Sequence, residues 1–307
     1  MPVMWMILVL GCKAEPPAEP APPEPTVAEA ADAAIADAAP MTFGVEEEHR
    51  GAIRKPLLWR VDGPSEPSWL FGTMHGGVRA TWKDLPPPVR RAMQTSDTVV
   101  FETDTRGVDP AMLAPFLTLP PGKSLRAGIG DERFEKLVEF TGHPREVLDR
   151  YRPWVVHGEL VSRWIGDEQP VDTWMLEHAQ KRGKRLDYLE TMQKQVEMLD
   201  SAITFDVLQR TLDDLDEQER LLTRAVQVYK DGDDVELRRK LFAAEDVAAY
   251  QSMYDALFKK RNRRWLPEIV QHVKRGKTLF VVGAGHLIGP DDLVGMLREE
   301  GYRVDRM

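Results

Sequence analysis

Two stretches far apart in the chain carry the same chemical device. Leu70-Phe71-Gly72-Thr73-Met74-His75 and Val281-Val282-Gly283-Ala284-Gly285-His286 both read apolar-apolar-Gly-x-x-His. Glycine at the carboxyl end of a strand permits a sharp turn, so a histidine three residues on can project back over the sheet edge. In open α/β sheets that edge is where ligands bind. Neutral imidazole is a common metal ligand and the usual general acid or base near pH 7.

Two glutamates share the setting. Glu102 closes the apolar run Thr98-Val99-Val100-Phe101, and Glu190 closes Arg185-Leu186-Asp187-Tyr188-Leu189. A charge at such a position calls for a partner or a coordinated ion. Two imidazoles with one or two carboxylates match a divalent-metal centre of the manganese, cobalt or zinc type, with open positions for water. A carboxylate off the metal could then take a proton from that water. His75, His286 and Glu102 are therefore the expected ligands, with Glu190 as general base or fourth ligand. The residue types leave open which glutamate plays which part. Arg261, in Lys260-Arg261-Asn262-Arg263-Arg264-Trp265, offers a cation for a developing oxyanion or a substrate carboxylate. His143 reads as a turn residue, and His157, His178 and His272 fall within helical patterns as core or solvated residues.

The elements that must position these groups follow from the hydrophobic pattern. Leu57–Val61 and Trp69–Gly72, separated by a Gly/Pro/Ser turn, read as a hairpin. Thr98–Glu102, Arg185–Glu190 and Thr278–Val282 read as further strands, and Asp291–Glu300 as a closing helix. Residues 110–166 read mostly as helices interrupted at Pro120-Pro121-Gly122, Gly142-His143-Pro144 and Arg152-Pro153. Asp172–Arg182 is amphipathic and ends at Gly183, and 191–266 is strongly helical, with Asp234 as the expected cap after Asp231-Gly232. The expected fold is α/β: a small central mixed or parallel sheet built from the two strand-GxxH units, with a large helical insertion at about 110–180 and 191–266.

The 307 residues carry 41 Lys+Arg against 50 Asp+Glu, a net charge of −9. That balance argues against a nucleic-acid partner, which calls for clustered positive surface. One cysteine excludes a disulfide framework and a Cys-rich zinc site. Val3–Gly11 is a short apolar run, too short to span a bilayer, that stops at that one cysteine, Cys12. Val9-Leu10-Gly11-Cys12 resembles a bacterial lipobox, which makes residues 1–12 a lipoprotein signal segment and Cys12 the lipidated residue. Ala and Pro fill 18 of the 28 positions from 13 to 40, a stretch that holds −5 of the net charge. Residues 13–45 thus read as a disordered acidic spacer, and 46–307 as the folded domain. Lys13 in place of an Asp points to the outer membrane, facing the periplasm, within the cell envelope.

Phe71-Gly72-Thr73-Met74-His75, Val100-Phe101-Glu102-Thr103-Asp104, Leu189-Glu190-Thr191, Arg261-Asn262 and Gly283-Ala284-Gly285-His286-Leu287 occur in the order seen in the TraB/PrgY/GumN family. Pro153-Trp154, Gly232-Asp233 and Gly301-Tyr302-Arg303-Val304 extend the match from about 56 to 305. The family resembles the Tiki proteases and, more distantly, erythromycin-esterase and ChaN-like haem-binding proteins. The resemblance implies a compact α/β core with a helical insertion and a metal-dependent hydrolase, proteolytic in the Tiki branch, acting on a peptide or other small substrate. It places the site at His75, His286, Glu102 or Glu190, and Arg261. Two positions depart from the pattern: Gly76-Gly77 follows His75 where an apolar residue is more usual, and Pro170 stands before Val171-Asp172. Two other functions use the same residues. One is a metal-independent, esterase-like hydrolase with a histidine as general base. The other is a binding module that holds a peptide pheromone or haem without turnover.

Overall fold

The computed structural model describes residues 52–78, 81–106, 110–165, 169–242 and 248–307. Cys12 and the Ala/Pro spacer lie outside the described residues. Six strands form one mixed sheet: β1 (Leu57–Asp62), β2 (Ser68–Thr73), β3 (Thr98–Phe101), β4 (Arg185–Tyr188), β5 (Thr278–Gly283) and β6 (Arg303–Arg306), in the order β4-β3-β5-β2-β1-β6. β4, β3, β5 and β2 run parallel, while β1 pairs antiparallel with both β2 and β6. The fold is α/β, with helices filling the two long crossovers.

The central strands carry continuous apolar runs because both their faces are covered. Val99, Val100, Leu279, Phe280, Val281, Leu70 and Phe71 are all buried. β6 is an addition to the expected strands. Its short Arg303-Val304-Asp305-Arg306 alternation lacks an apolar run, and it pairs with β1 at the sheet edge.

Helices occupy 110–165 between the expected breaks and continue at Val171–Lys181, then from Met192 through Leu241. The cap expected at Asp234 is instead Asp233, whose carboxylate accepts the Glu236 N–H at 2.9 Å. Gly232 takes the left-handed conformation (φ 68°) that ends the preceding helix, so the extended residue is the next one, Asp233. The last long helix, Lys260–Arg275, runs beyond residue 266 and through Pro267. Pro267 and Arg263, whose carbonyl loses its helical partner, are both exposed, so water can satisfy that group. No helix of the described residues is long and apolar enough to cross a membrane.

Candidate active site

Parallel pairing of four neighbouring strands sets their carboxyl ends on one edge of the sheet. Register joins Thr73 to Gly283 across β2 and β5, and Phe101 to Tyr188 across β3 and β4. The Glu190 N–H then donates to the Glu102 carbonyl at 2.9 Å, holding the two glutamates side by side. The Ala284 N–H donates to the Thr73 carbonyl at 2.8 Å, which joins the two GxxH turns. Gly72 is required by that contact: a Cβ there would sit 3.1 Å from Ala284 Cα and 3.3 Å from Leu287.

His75, Glu102, Glu190, Arg261 and His286 are all buried. Arg261 is the hub. Its Nη2 donates to Glu102 Oε2 and to Glu190 Oε1, both at 2.6 Å, and its Nε to Glu190 Oε1 at 3.0 Å. Nη1 donates to the Leu257 carbonyl and lies 3.1 Å from His286 Nε2. The guanidinium also lies over the Trp265 ring at 4.4 Å. It starts the helix Lys260–Arg275 directly after a π turn at Asp255–Lys259, a distortion common at functional sites. Arg264, three residues on, donates to the other Glu190 oxygen. Both Glu190 oxygens are thereby engaged by guanidinium groups.

Glu102 accepts the Gly283 N–H at 2.7 Å on Oε1, and Gln195 Nε2 at 3.4 Å on Oε2. Burial pushes its carboxyl upward, but Arg261 and the flanking histidines hold it at about 2, well below the usual range.

The two histidines have different surroundings. His286 Nδ1 lies 2.6 Å from Asn262 Oδ1, and its ring packs against Trp265 and Phe258. Burial pushes its pKa down to about 3, with Arg261 and His75 adding to the effect, so the ring is neutral. With the proton on Nδ1 for Asn262, Nε2 keeps its lone pair. His75 Nδ1 lies 3.1 Å from Asp172 Oδ2. Burial opposes its charge, yet Asp172 and then Glu102 raise its pKa above the ordinary value.

Asp172, Asn262 and Arg264 were not singled out as site residues from sequence. The available signal was adjacency: Asp172 follows Pro170-Val171 at a helix start, and the other two flank Arg261 within one turn. Pro170 is the residue before that helix, so its departure from the family pattern is structural. Gly76-Gly77 lets the chain after His75 run against the helix Pro153–Ile165. A Cβ on Gly76 would overlap Ile165, and Gly77 is left-handed at φ 69°.

Does this site fit a divalent ion? Each histidine has an oxygen beside Nδ1, the pattern usual for metal-bound imidazole, although His286 Nε2 already faces Arg261 Nη1 at 3.1 Å. His286 Nε2 and Glu102 Oε1 lie 3.6 Å apart, close to the ~3.4 Å between donors across a tetrahedral ion with bonds of ~2.1 Å. Thr103 Oγ1, Asp172 Oδ1 and Gln195 Oε1 are buried without a hydrogen bond. All three residues line a cavity of about 20 Å³ that also meets Glu102, room for roughly one water or ion. The donors fit. Among the described residues, however, no three of the ligand atoms of His75, Glu102, Glu190 and His286 lie within 4.8 Å of one another; Arg261 stands among them.

The model of the TraB/PrgY/gumN family matches residues 57–306. The chain is similar to metalloprotease TIKI2 of Danio rerio, 23% identical over 320 residues that cover 81% of this chain and 60% of that protein. It is 22% identical to a metalloprotease TIKI homolog of Amphimedon queenslandica, over 83% of this chain and 62% of the relative. Metalloprotease TIKI1 of Homo sapiens is 21% identical, with 87% and 65% covered. The chain thus spans less than two thirds of the length of these relatives. No solved structure matches it.

Proposed function

The chain belongs to the TraB/PrgY/gumN family, and from that premise we propose that it is a metal-dependent hydrolase that cleaves peptide bonds. One observation carries the reading. His75, Glu102, Glu190 and His286 follow the carboxyl ends of four adjacent parallel strands and are buried, with Arg261 bonded to both glutamates and beside His286. The names of the relatives add the reaction class.

His75, His286 and Glu102 would hold the ion, of manganese, cobalt or zinc type. When bound, such an ion lowers the pKa of a water and polarises a carbonyl. The remaining chemistry belongs to the side chains. Asp172 and Asn262 fix the orientation of His75 and His286 through Nδ1. Glu190 has a guanidinium group on each oxygen, and we assign it the holding of Arg261 and Arg264. The free carboxylate oxygen at the cavity is Asp172 Oδ1, to which we assign the proton leaving the water. Arg261 supplies fixed positive charge where negative charge develops on the substrate.

The test is hydrolysis of a fluorogenic peptide library by the full chain, stripped with a chelator and reloaded with Mn²⁺, Co²⁺ or Zn²⁺. Cleavage should return on reloading and fall to background in His75→Ala and His286→Ala. Cleavage that ignores the chelator and survives both substitutions would overturn the reading. We further propose that Cys12 carries a lipid that tethers the domain in the bacterial cell envelope, on the outer membrane. The lipobox-like Val9–Cys12 and the Ala/Pro spacer support this.

A further inference from the structure

Well away from that constellation, a second set of ligand-type side chains converges. Asp187 lies on the edge strand β4, and Glu268 and His272 stand four residues apart on the helix Lys260–Arg275. An i,i+4 spacing puts two side chains on one helix face. One donor atom from each of the three lies within 4.8 Å of the others, the one such group of three among the described residues. His272 is 3% exposed, and its Nε2 stands 3.2 Å from Asp187 Oδ2 without a well-formed hydrogen bond. Unprotonated, that nitrogen offers a lone pair beside those of the carboxylate, and a cation placed between them would take both. An ordinary His–Asp pair would satisfy both.

Charge points the same way. Burial, then the neighbouring Asp187, hold the Glu268 carboxyl above its usual range, while burial and then Arg275 keep His272 below the usual imidazole value. Two carboxylates stand beside the imidazole, and the guanidinium groups of Arg275 and Arg185 act on this group only through space.

We propose that Asp187, Glu268 and His272 form a second metal site, holding zinc or a divalent ion of similar size in a structural role. One nitrogen and two oxygen donors suit such an ion and leave a position for water. Asp187 is 46% exposed, which gives the ion a way in. His272 lies eleven residues beyond Arg261 on the same helix, roughly 16 Å along its axis, so the two sites do not share atoms. The ion would staple β4 to the helix. Those two elements meet again at the active site, where Glu190, just past the end of β4, binds Arg261 and Arg264 of the same helix.

The experiment titrates the metal-free full chain with ZnCl₂, following calorimetric stoichiometry and melting temperature. His75→Ala/His286→Ala is the background that removes the other site. That background should still take up one equivalent of zinc and melt higher with it. Adding His272→Gln should weaken this uptake by about tenfold or more, given that even outer partners are worth 10–100-fold, and cancel the rise in melting temperature. Asp187→Asn, at a half-exposed position, should do the same and decides the matter should His272→Gln not fold. Zinc uptake unchanged in Asp187→Asn, or no uptake by the background variant, would overturn the proposal. Neither readout depends on peptide cleavage.

Discussion

The two GxxH turns differ in everything except where they put the histidine. Both follow adjacent parallel strands and reach the same sheet edge. His75 faces a carboxylate, Asp172, which raises its pKa. His286 is wedged among Trp265, Phe258, Arg261 and Asn262, and is pushed down to about 3. The motif fixes position, and helices between the strands fix protonation: Val171–Lys181 tunes one histidine, and Lys260–Arg275 tunes the other. One device repeated thus yields a ring inclined to carry a proton and a ring that refuses one.

The largest blow to this contrast comes at Arg261. Arg261→Gln leaves two buried carboxylates without their shared cation, and should destabilise the fold by about 3–5 kcal/mol. Urea unfolding would show it, and a midpoint equal to wild type would refute the hub assignment.

The opposed histidines predict a two-sided pH profile for the metal-free protein. His286 is charged in the unfolded chain below its ordinary value of 6.5 but stays neutral in the fold until about 3. Stability should therefore fall as pH drops from about 6.5 toward 3, by up to a few kcal/mol. Glu102, held at about 2 against an ordinary 4.5, adds its own loss only below about 4.5. His75 works in the other direction. Its raised pKa gives a stabilisation that is complete below 6.5 and disappears as pH rises through the folded value. Asp172→Asn should flatten this alkaline limb and leave the acid one. Unfolding free energies measured across pH decide it, and an alkaline limb that survives Asp172→Asn removes Asp172 as the cause.

The smallest effect sharpens the geometry. Gly72→Ala should cost about 1–3 kcal/mol, because its Cβ meets Ala284 Cα at 3.1 Å and forces the two turns apart. A silent Gly72→Ala in thermal unfolding would mean the turns are not in contact.

Much of the sheet was readable because buried parallel strands show as unbroken apolar runs, and the glycine and glutamate that end them break the pattern where chemistry begins. β6 was not readable, since an edge strand of alternating charge carries no such run. The phase of the basic run at 260–264 was also hidden. Arg261 is buried, Arg264 half-exposed on Glu190, and Arg263 exposed beside Asp291, a division that depends on how a π turn rotates the helix. His272 looked like any helical histidine, because Asp187 and Glu268 reach it only through the approach of strand and helix. Asp172 escaped notice for a similar reason. A carboxylate at a helix start is common as a partner of the helix dipole, and only tertiary contact turns it toward His75.

The pairing of β2 with β5 joins residues 210 positions apart in the chain. Contacts of such long range are slow to form, and they wait for the far partner to be made. On the ribosome, His75 emerges long before His286. A chain that stops between the two histidines therefore has no assembled site.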